Sequence, residues 1–114
     1  MALPEQIREK VEWGLARYCA RRVPMRVRDQ IQPGYRFRGN SVTLFERRPA
    51  TRASGVSTES VVAQFRFDPL ISLWTLYCRD RNTRWHRYDE VPPTPDLNDL
   101  PREVDEDPTG IFWG

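Results

Sequence analysis

The chain has 114 residues, of which 39% are hydrophobic and 30% are charged. This length favours a single domain over residues 1–114 with one hydrophobic core, and the composition excludes a wholly disordered chain. No apolar run approaches the roughly 20 residues that a membrane-spanning helix needs, and residues 1–10 lack an apolar signal core. We therefore predict a cytoplasmic protein that does not act in a membrane.

The charges are distributed unevenly along the chain. The formal net charge is only +2, and 17 of the 18 basic residues are arginine. Residues 1–87 carry a net charge of +9, whereas residues 88–114 carry a net charge of −7. Either the two charge types pair internally, or the arginines form an anion-binding surface whose non-specific binding the acidic segment limits.

The two cysteines and the single histidine exclude the usual zinc sites. Cys19 and Cys78 lie far apart in sequence, and His86 is the only histidine, so no zinc-finger spacing can be built. No glycine-rich phosphate loop or Walker sequence is present. We predict reduced thiols, no metal site and no cofactor.

The N-terminal residues 1–22 are predicted to form a helix. Pro4 suits a first helical position, and Pro24 ends the segment. Apolar residues recur at steps of four and three, which gives the helix one apolar stripe. These residues are Ile7, Val11, Leu15 and Tyr18.

Residues 25–89 are predicted to form antiparallel strands, beginning with a clear hairpin. The dipeptide Gly39-Asn40 separates two alternating segments and is typical of a two-residue turn. This turn places Phe37 opposite Val42 and Tyr35 opposite Leu44 on one apolar face.

The other face of this hairpin is basic, and its apolar face ends in a carboxylate. Arg36 and Arg38 share the basic face, whereas Glu46 falls at the edge of the apolar face because side chains alternate along a strand. The plain explanation of Glu46 is a salt bridge to an arginine at the rim of the core. A general base, or an anchor for a functional arginine, is the alternative.

A second hairpin is predicted after the strand 61–68, whose apolar side chains are Val61, Ala63, Phe65 and Phe67. Its strands are residues 72–79 and 84–89, around the turn 80–83. A loop with an even number of residues pairs Cys78 with Trp85, Tyr77 with His86, Thr75 with Tyr88, and Arg79 with Arg84.

This register brings rings and guanidinium groups together on one sheet face. Tyr77, His86 and Tyr88 would share it with Arg79 and Arg84. Such a face can stack bases and hold phosphates of RNA or single-stranded DNA. With the first hairpin, the predicted nucleic-acid-binding residues are Arg36, Arg38, Tyr77, Arg79, Arg84, His86 and Tyr88. An ordinary solvated sheet face with cross-strand aromatic pairs remains the alternative.

The same face also permits an enzyme. Metal-independent RNA cleavage needs an acid, a base and a positive charge on the phosphate. His86, with Tyr77 or Glu46, could transfer protons, and Arg79 or Arg84 could hold the phosphate. No spacing rule selects these residues, so we favour a protein that is not an enzyme.

The last region, residues 90–114, combines a proline-rich connector, a short helix and an apolar tail. The helix is predicted near residues 100–106, with Asp99 as its cap and Pro101 in its first turn. The tail, residues 111–113, is apolar and is expected to dock on the core.

Several segments resemble a family of small bacterial proteins classed as a domain of unknown function. They are residues 39–49 (GNSVTLFERRP), 74–82 (WTLYCRDRN), 84–88 (RWHRY) and 103–113 (EVDEDPTGIFW). The resemblance extends over most of the chain. It implies a bacterial, stand-alone cytoplasmic domain and supplies no activity or catalytic residue.

The predicted fold is therefore α+β in two layers: an N-terminal helix, an antiparallel sheet of four or five strands built from hairpins, and a short C-terminal helix. The first functional hypothesis is a non-enzymatic module that binds single-stranded nucleic acid. A protein-interaction or structural module, with the acidic segment binding a partner or a second copy of the chain, is the alternative. A metal-independent endoribonuclease is the third hypothesis.

Overall fold

The computed structural model describes residues 3–22, 31–49 and 55–112. Its elements are α1 (Glu5–Arg22), β1 (Gln32–Arg38), β2 (Ser41–Arg48), β3 (Thr58–Asp68), β4 (Leu73–Arg79), β5 (Trp85–Arg87), a 3₁₀ turn (Leu97–Asp99) and α2 (Pro101–Glu106). The strands form one antiparallel sheet in the order β1-β2-β3-β4-β5. This arrangement confirms the predicted α+β fold, with five strands. The start of the predicted strand region, residues 25–30, lies outside the described residues, as do residues 50–54 and 113.

The helix α1 forms where the apolar stripe predicts it. Its first backbone bond runs from Arg8 N–H to the Pro4 carbonyl at 3.0 Å. Glu5 in the first turn and arginines in the last turn have the charges that the helix dipole favours at each end. Val11, Leu15 and Tyr18 are buried, which fixes the face that α1 turns to the sheet.

The helical elements all pack on one face of the sheet. Leu15 of α1, Leu97 of the 3₁₀ turn and Val104 of α2 belong to the same buried cluster as Phe65 and Leu76 of the sheet. All five of these side chains are at most 1% exposed. The fold thus has two layers, and the core lies between them.

The first hairpin has the predicted register. Phe37 pairs with Val42 and Tyr35 with Leu44, and Gly39 adopts φ 56°, as the first position of this turn requires.

The strand β3 departs from the predicted alternation. The register between β2 and β3 shifts between Leu44 and Phe45. Because a bulge inserts one residue and reverses the facing of the residues beyond it, Val62 is buried in place of Val61.

The predicted register of the second hairpin is wrong by one residue. Arg79 pairs with Trp85, Cys78 with His86, and Tyr77 with Arg87. The loop therefore has five residues, 80–84, and an odd loop turns each side chain of β5 to the other face.

Asp80 stabilises this loop. Its carboxylate accepts backbone hydrogen bonds from Asn82 at 2.8 Å and from Arg84 at 3.0 Å, and its second oxygen lies 2.5 Å from His86 Nε2. The extra residue is accommodated at Thr83, which adopts the left-handed φ of 65°. The local hydrogen bonds of Asp80 thus favour the odd loop.

We expect Asp80→Ala to lower the melting temperature at neutral pH, because the loop loses these hydrogen bonds. The Arg84 N–H first, and then His86, hold the pKa of the Asp80 carboxyl below its usual value. The contribution of the carboxylate is therefore present above about pH 4 and is lost as the pH falls through the pKa of the folded protein. Thermal unfolding should show variant and parent converging in acid, and a gap that is the same at every pH would contradict this assignment.

The strand β5 is short, and the chain beyond it continues along the same edge of β4. Tyr88 N–H donates to the Leu76 carbonyl at 2.9 Å, and after the proline-rich connector Thr94 exchanges two backbone hydrogen bonds with Trp74 at 2.7 and 2.9 Å. The connector thus extends the ladder that β5 begins.

The C-terminal helix starts without the predicted cap. Leu100 is the N-cap residue of α2 and makes no side-chain capping bond, with Pro101 following it. Asp99 instead accepts a hydrogen bond from Thr94 Oγ1 at 2.9 Å. The residue that caps a helical segment here is Asp96, which accepts from Asn98 N–H at the start of the 3₁₀ turn.

Candidate nucleic-acid interface

The sheet face opposite the helices is not packed against any helix of the described residues. We call it the open face. Strand alternation and pairing place Ser41, Glu59 and Val61 on it, together with the arginines, rings and polar side chains of its central surface. The side chains of the central surface are Arg36, Arg38, Thr43, Phe45, Arg47, Gln64, Arg66, Thr75, Tyr77, Arg79, Trp85 and Arg87.

Four of the predicted binding residues lie on the open face. Arg36 and Arg38 extend from β1, and Tyr77 and Arg79 from β4. Pairing by two independent hairpins, joined through β2 and β3, brings them onto one surface.

The other three predicted binding residues lie elsewhere. Tyr88 is 4% exposed in the core, where its ring centroid is 5.0 Å from that of Phe112 and its hydroxyl donates to Glu103. His86 pairs with Cys78 and contacts Asp80, and Arg84 belongs to the loop. The odd loop is the physical reason, because it reverses the facing of β5.

Sequence reasoning missed three residues of the open face. The correct register turns Trp85 and Arg87 to the side of Tyr77, and Arg66 lies beside Tyr77 from β3. The signal for a five-residue loop was present as an aspartate two residues before Asn82, a spacing that favours an Asx turn.

Each aromatic ring of the open face is covered by a guanidinium group. Arg66 lies 3.9 Å from the ring centroid of Tyr77, and Arg79 lies 5.7 Å from that of Trp85. At the other end of the face, Arg36 and Arg47 lie 4.8 and 5.5 Å from the Phe45 ring. Such contacts hold arginine side chains flat against the sheet, with their outer planes toward solvent.

The ring of Phe45 lies over Gly34 of the neighbouring strand β1, where no side chain stands in its way. A Cβ atom at Gly34 would lie 2.7 Å from the tip of the Phe45 ring. Phe45 is consequently only 9% exposed. It supports the arginines of the open face, whereas Tyr77 and Trp85 are half-buried and remain partly accessible.

The charge of the open face is positive. Glu59 bridges Arg36 and Arg47 at 3.0 and 3.2 Å, and hydrogen bonds from Arg36 and then Arg47 lower the pKa of its carboxyl. Within the described part of the chain, Arg38 and Arg66 form no ion pair with a carboxylate, and neither does Arg79.

A row of side-chain hydrogen bonds across β2 and β3 orients Arg66. Thr43 Oγ1 accepts from the Gln64 amide at 3.0 Å, and the Gln64 oxygen accepts from Arg66 Nε at 2.6 Å. Because Nε is engaged, the terminal nitrogens of Arg66 are left to bind an anion above Tyr77.

Two carboxylates of the acidic C-terminal segment contact the helical layer, and a third, that of Asp89, lies 3.5 Å from Arg87 of the open face. Asp96 lies 3.6 Å from Lys10, and Asp105 lies 3.5 Å from Arg22. Asp105 also accepts a hydrogen bond from the Tyr18 hydroxyl at 3.0 Å. Of the open-face arginines, the described acidic segment therefore pairs with Arg87, whereas Arg38, Arg66 and Arg79 have no carboxylate partner in the described part of the chain.

The three residues considered for proton transfer do not come together. Tyr77 lies on the open face, whereas His86 pairs with Cys78, which faces the other way. Glu46 lies on β2 and forms a salt bridge with Arg48 at 3.4 Å. Since β3 and β4 separate β2 from β5, about 14 Å of sheet separates Glu46 from His86.

The described residues contain neither a candidate metal site nor a candidate membrane-spanning helix. Among residues 3–22, 31–49 and 55–112, no group of three His, Cys, Asp or Glu side chains has the proximity that a metal ion requires. No helix in those ranges is long and apolar enough to cross a bilayer.

Comparison with known proteins places the chain in a family. The chain has no match among the curated proteins or among the solved structures. The model of one family, described as a domain of unknown function (DUF3024), matches residues 3–114, which is nearly the whole chain. The chain therefore belongs to the DUF3024 family.

Proposed function

We propose that the open face binds single-stranded nucleic acid, with RNA as the first candidate. The observation that supports this most directly is the pair of partly accessible rings, Tyr77 and Trp85, each with one guanidinium group over it. Proteins bind single strands by stacking bases on such rings and planes while arginines hold the phosphates.

The layout of the face matches an extended ligand. Arg38 and Arg66 lie in one row across β1, β2 and β3, and Arg79 lies four residues farther along β4 than Thr75, the partner of Arg66. A strand that crosses the sheet diagonally therefore meets three guanidinium groups that have no carboxylate partner among the described residues. The separation of β1 from β4 is about 14 Å, which corresponds to two or three nucleotides of extended backbone. RNA-recognition domains likewise stack bases on aromatic side chains of an antiparallel sheet.

The position of the acidic segment also supports this proposal. Asp96 and Asp105 contact α1 on the far side of the sheet. Asp89 pairs with Arg87 at one edge of the open face, so the described segment leaves Arg38, Arg66 and Arg79 for a ligand. This favours nucleic-acid binding over the alternative in which the acidic segment reaches for a partner, because Asp96 and Asp105 already have internal partners.

The first test is the affinity for a short fluorescent oligouridylate, measured by anisotropy over a series of salt concentrations. We expect binding at low salt that weakens as salt rises, with a slope that falls by about 0.7 when Arg79→Ala removes one phosphate contact. Tyr77→Ala should weaken binding roughly 5- to 100-fold by removing a stacked base.

The matched control is Arg8→Ala, which removes the same charge from an exposed position of α1 in the other layer. We expect it to retain the affinity and the salt slope of the parent. The proposal is wrong if the parent does not bind at low salt, or if Arg8→Ala weakens binding as much as Arg79→Ala does. Thermal melts of each variant establish that the comparison is made between folded proteins.

A further inference from the structure

A second concave surface lies in the helical layer, where the end of α1 meets α2. This groove has a volume of about 570 Å³, which is within the range of small-molecule sites. The core and the sheet separate it from the open face, because α1 and α2 both pack on the opposite side of the sheet. We call it the α1–α2 groove.

One wall of the groove is an exposed indole. Trp13 is 64% exposed, an unusual position for the largest apolar side chain. Arg17, one turn later on the helix, places its guanidinium 4.7 Å from the indole ring centroid. Together they form a planar, polar-edged platform on which a heteroaromatic ring can stack.

The groove is positively charged. Arg17 and Arg21 line it from successive turns of α1, and Arg102 lines it from α2. In the described ranges, neither Arg17 nor Arg21 forms an ion pair with a carboxylate, whereas Arg102 pairs with Glu106 at 3.0 Å. The carboxylate that lines the groove, Asp105, already accepts from Tyr18 and contacts Arg22.

The side-chain amide of Asn98 also lines the groove, and Gly14 on α1 leaves the room that it occupies. A Cβ atom at Gly14 would lie 1.9 Å from Asn98 Oδ1, so only glycine lets the Asn98 side chain lie against the helix backbone here. The backbone of Asn98 is fixed by its hydrogen bond to the Asp96 carboxylate at 3.0 Å. An asparagine amide can donate to and accept from the edge of a base at once.

We propose that the α1–α2 groove binds a nucleoside phosphate. The indole of Trp13 stacks on the base, the Asn98 amide reads the base edge, and Arg17 and Arg21 hold the phosphate, with Arg102 opposite them. This site needs no glycine-rich phosphate loop, because guanidinium groups supply the charge. It does not depend on nucleic-acid binding by the open face.

The same chemistry is offered by a free mononucleotide and by the terminal nucleotide of a strand. Calorimetric titration with AMP, adenosine, inorganic phosphate and an oligoadenylate with a 5′ phosphate distinguishes them. If the ligand is a free nucleotide, AMP should bind more tightly than adenosine or inorganic phosphate does. It should also bind as tightly as the oligoadenylate. If the ligand is the end of a strand, the oligoadenylate should bind more tightly than AMP. This difference in affinity should disappear in Trp13→Ala.

The variants locate the site. Trp13→Ala should weaken AMP binding roughly 5- to 100-fold, and Arg21→Ala should weaken it about tenfold or more. Asn98→Ala should reduce the preference for AMP over ribose 5-phosphate. In NMR spectra, AMP should shift the indole N–H signal of Trp13, which Trp13→Ala assigns.

Two arginine variants outside the groove are the controls for charge. Arg81→Ala, in the β4–β5 loop, and Arg79→Ala, on the open face, remove the same charge and should leave AMP affinity unchanged. The proposal is overturned if AMP does not bind, if Trp13→Ala and Arg21→Ala bind it as the parent does, or if Arg79→Ala alone abolishes binding. Since Arg79→Ala is predicted to weaken oligouridylate binding and to leave AMP affinity unchanged, either proposal can fail without the other.

Discussion

Replacement of Trp74 by alanine is expected to lower the free energy of unfolding by about 3–5 kcal/mol, the range for large buried aromatic side chains. Trp74 is 2% exposed, and its ring lies 5.0 Å from that of Phe67, centroid to centroid. Its backbone also exchanges hydrogen bonds with Thr94. The substitution therefore opens a cavity where the sheet, α1 and the C-terminal segment meet.

Urea unfolding followed by circular dichroism measures this effect. A domain of this size typically has about 5–15 kcal/mol of stability, so the midpoint should fall by about a fifth or more. Trp13→Ala is the matched control, because the same side chain is removed from an exposed position, where changes stay within about 0.5 kcal/mol. Equal losses for the two variants would contradict the location of the core.

The second large effect is a loss of stability in alkaline solution. Burial, and then the charge of Asp105, raise the pKa of the Tyr18 hydroxyl well above its usual range, and burial raises the pKa of the Cys19 thiol to about 11. Burial and the hydrogen bond to Glu103 raise the pKa of Tyr88 in the same way.

The direction of the effect is set by proton binding. Above about pH 9 the unfolded chain loses these protons first, so it binds fewer protons than the folded protein and stability falls as the pH rises. Each group contributes a loss of about 1.4 kcal/mol per pH unit between its unfolded and folded pKa. Stability is retained below this window, where every one of these groups is protonated in both states.

Urea midpoints measured from pH 7 to pH 11 check this prediction. At neutral pH, Tyr18→Phe should be less stable than the parent by about 1 kcal/mol, because Asp105 loses a donor. Above pH 10 the difference should shrink, since phenylalanine has no proton to lose. A parent and a variant that lose stability in parallel at high pH would contradict the role of Tyr18.

The parts of the fold that sequence predicts are those with local signals. The stripe from Val11 to Tyr18 has helical spacing, and Gly39-Asn40 allows one tight turn, so α1 and the first register are both correct. The loop after Arg79 carries only the Asx-turn spacing of Asp80 and Asn82, which by itself does not fix the number of loop residues. Its length depends on the Asp80 hydrogen bonds and on the left-handed Thr83, neither of which alternation of side chains can reveal.

The candidate site was predictable in composition but not in detail. Charge and rings identified Arg36, Arg38, Tyr77 and Arg79, all of which lie on the open face. Because the predicted register was wrong by one residue, Tyr88 and Arg84 were expected on this face in place of Trp85. Tyr88 lies in the core and Arg84 in the loop. The location of the acidic segment required tertiary contacts, because its partners on α1 are distant in sequence.

The contact between Thr94 and Trp74 also affects how the protein behaves at high concentration. The outer strands of the sheet are β1 and β5, and unpaired outer strands attract strands of other molecules. β5 has three residues, and the edge of β4 beyond it is occupied by Thr94 within a proline-rich segment. On the opposite side, Pro33 interrupts the donors of β1. Both edges therefore disfavour intermolecular β-sheet growth, which allows a sheet with one uncovered face to remain dispersed.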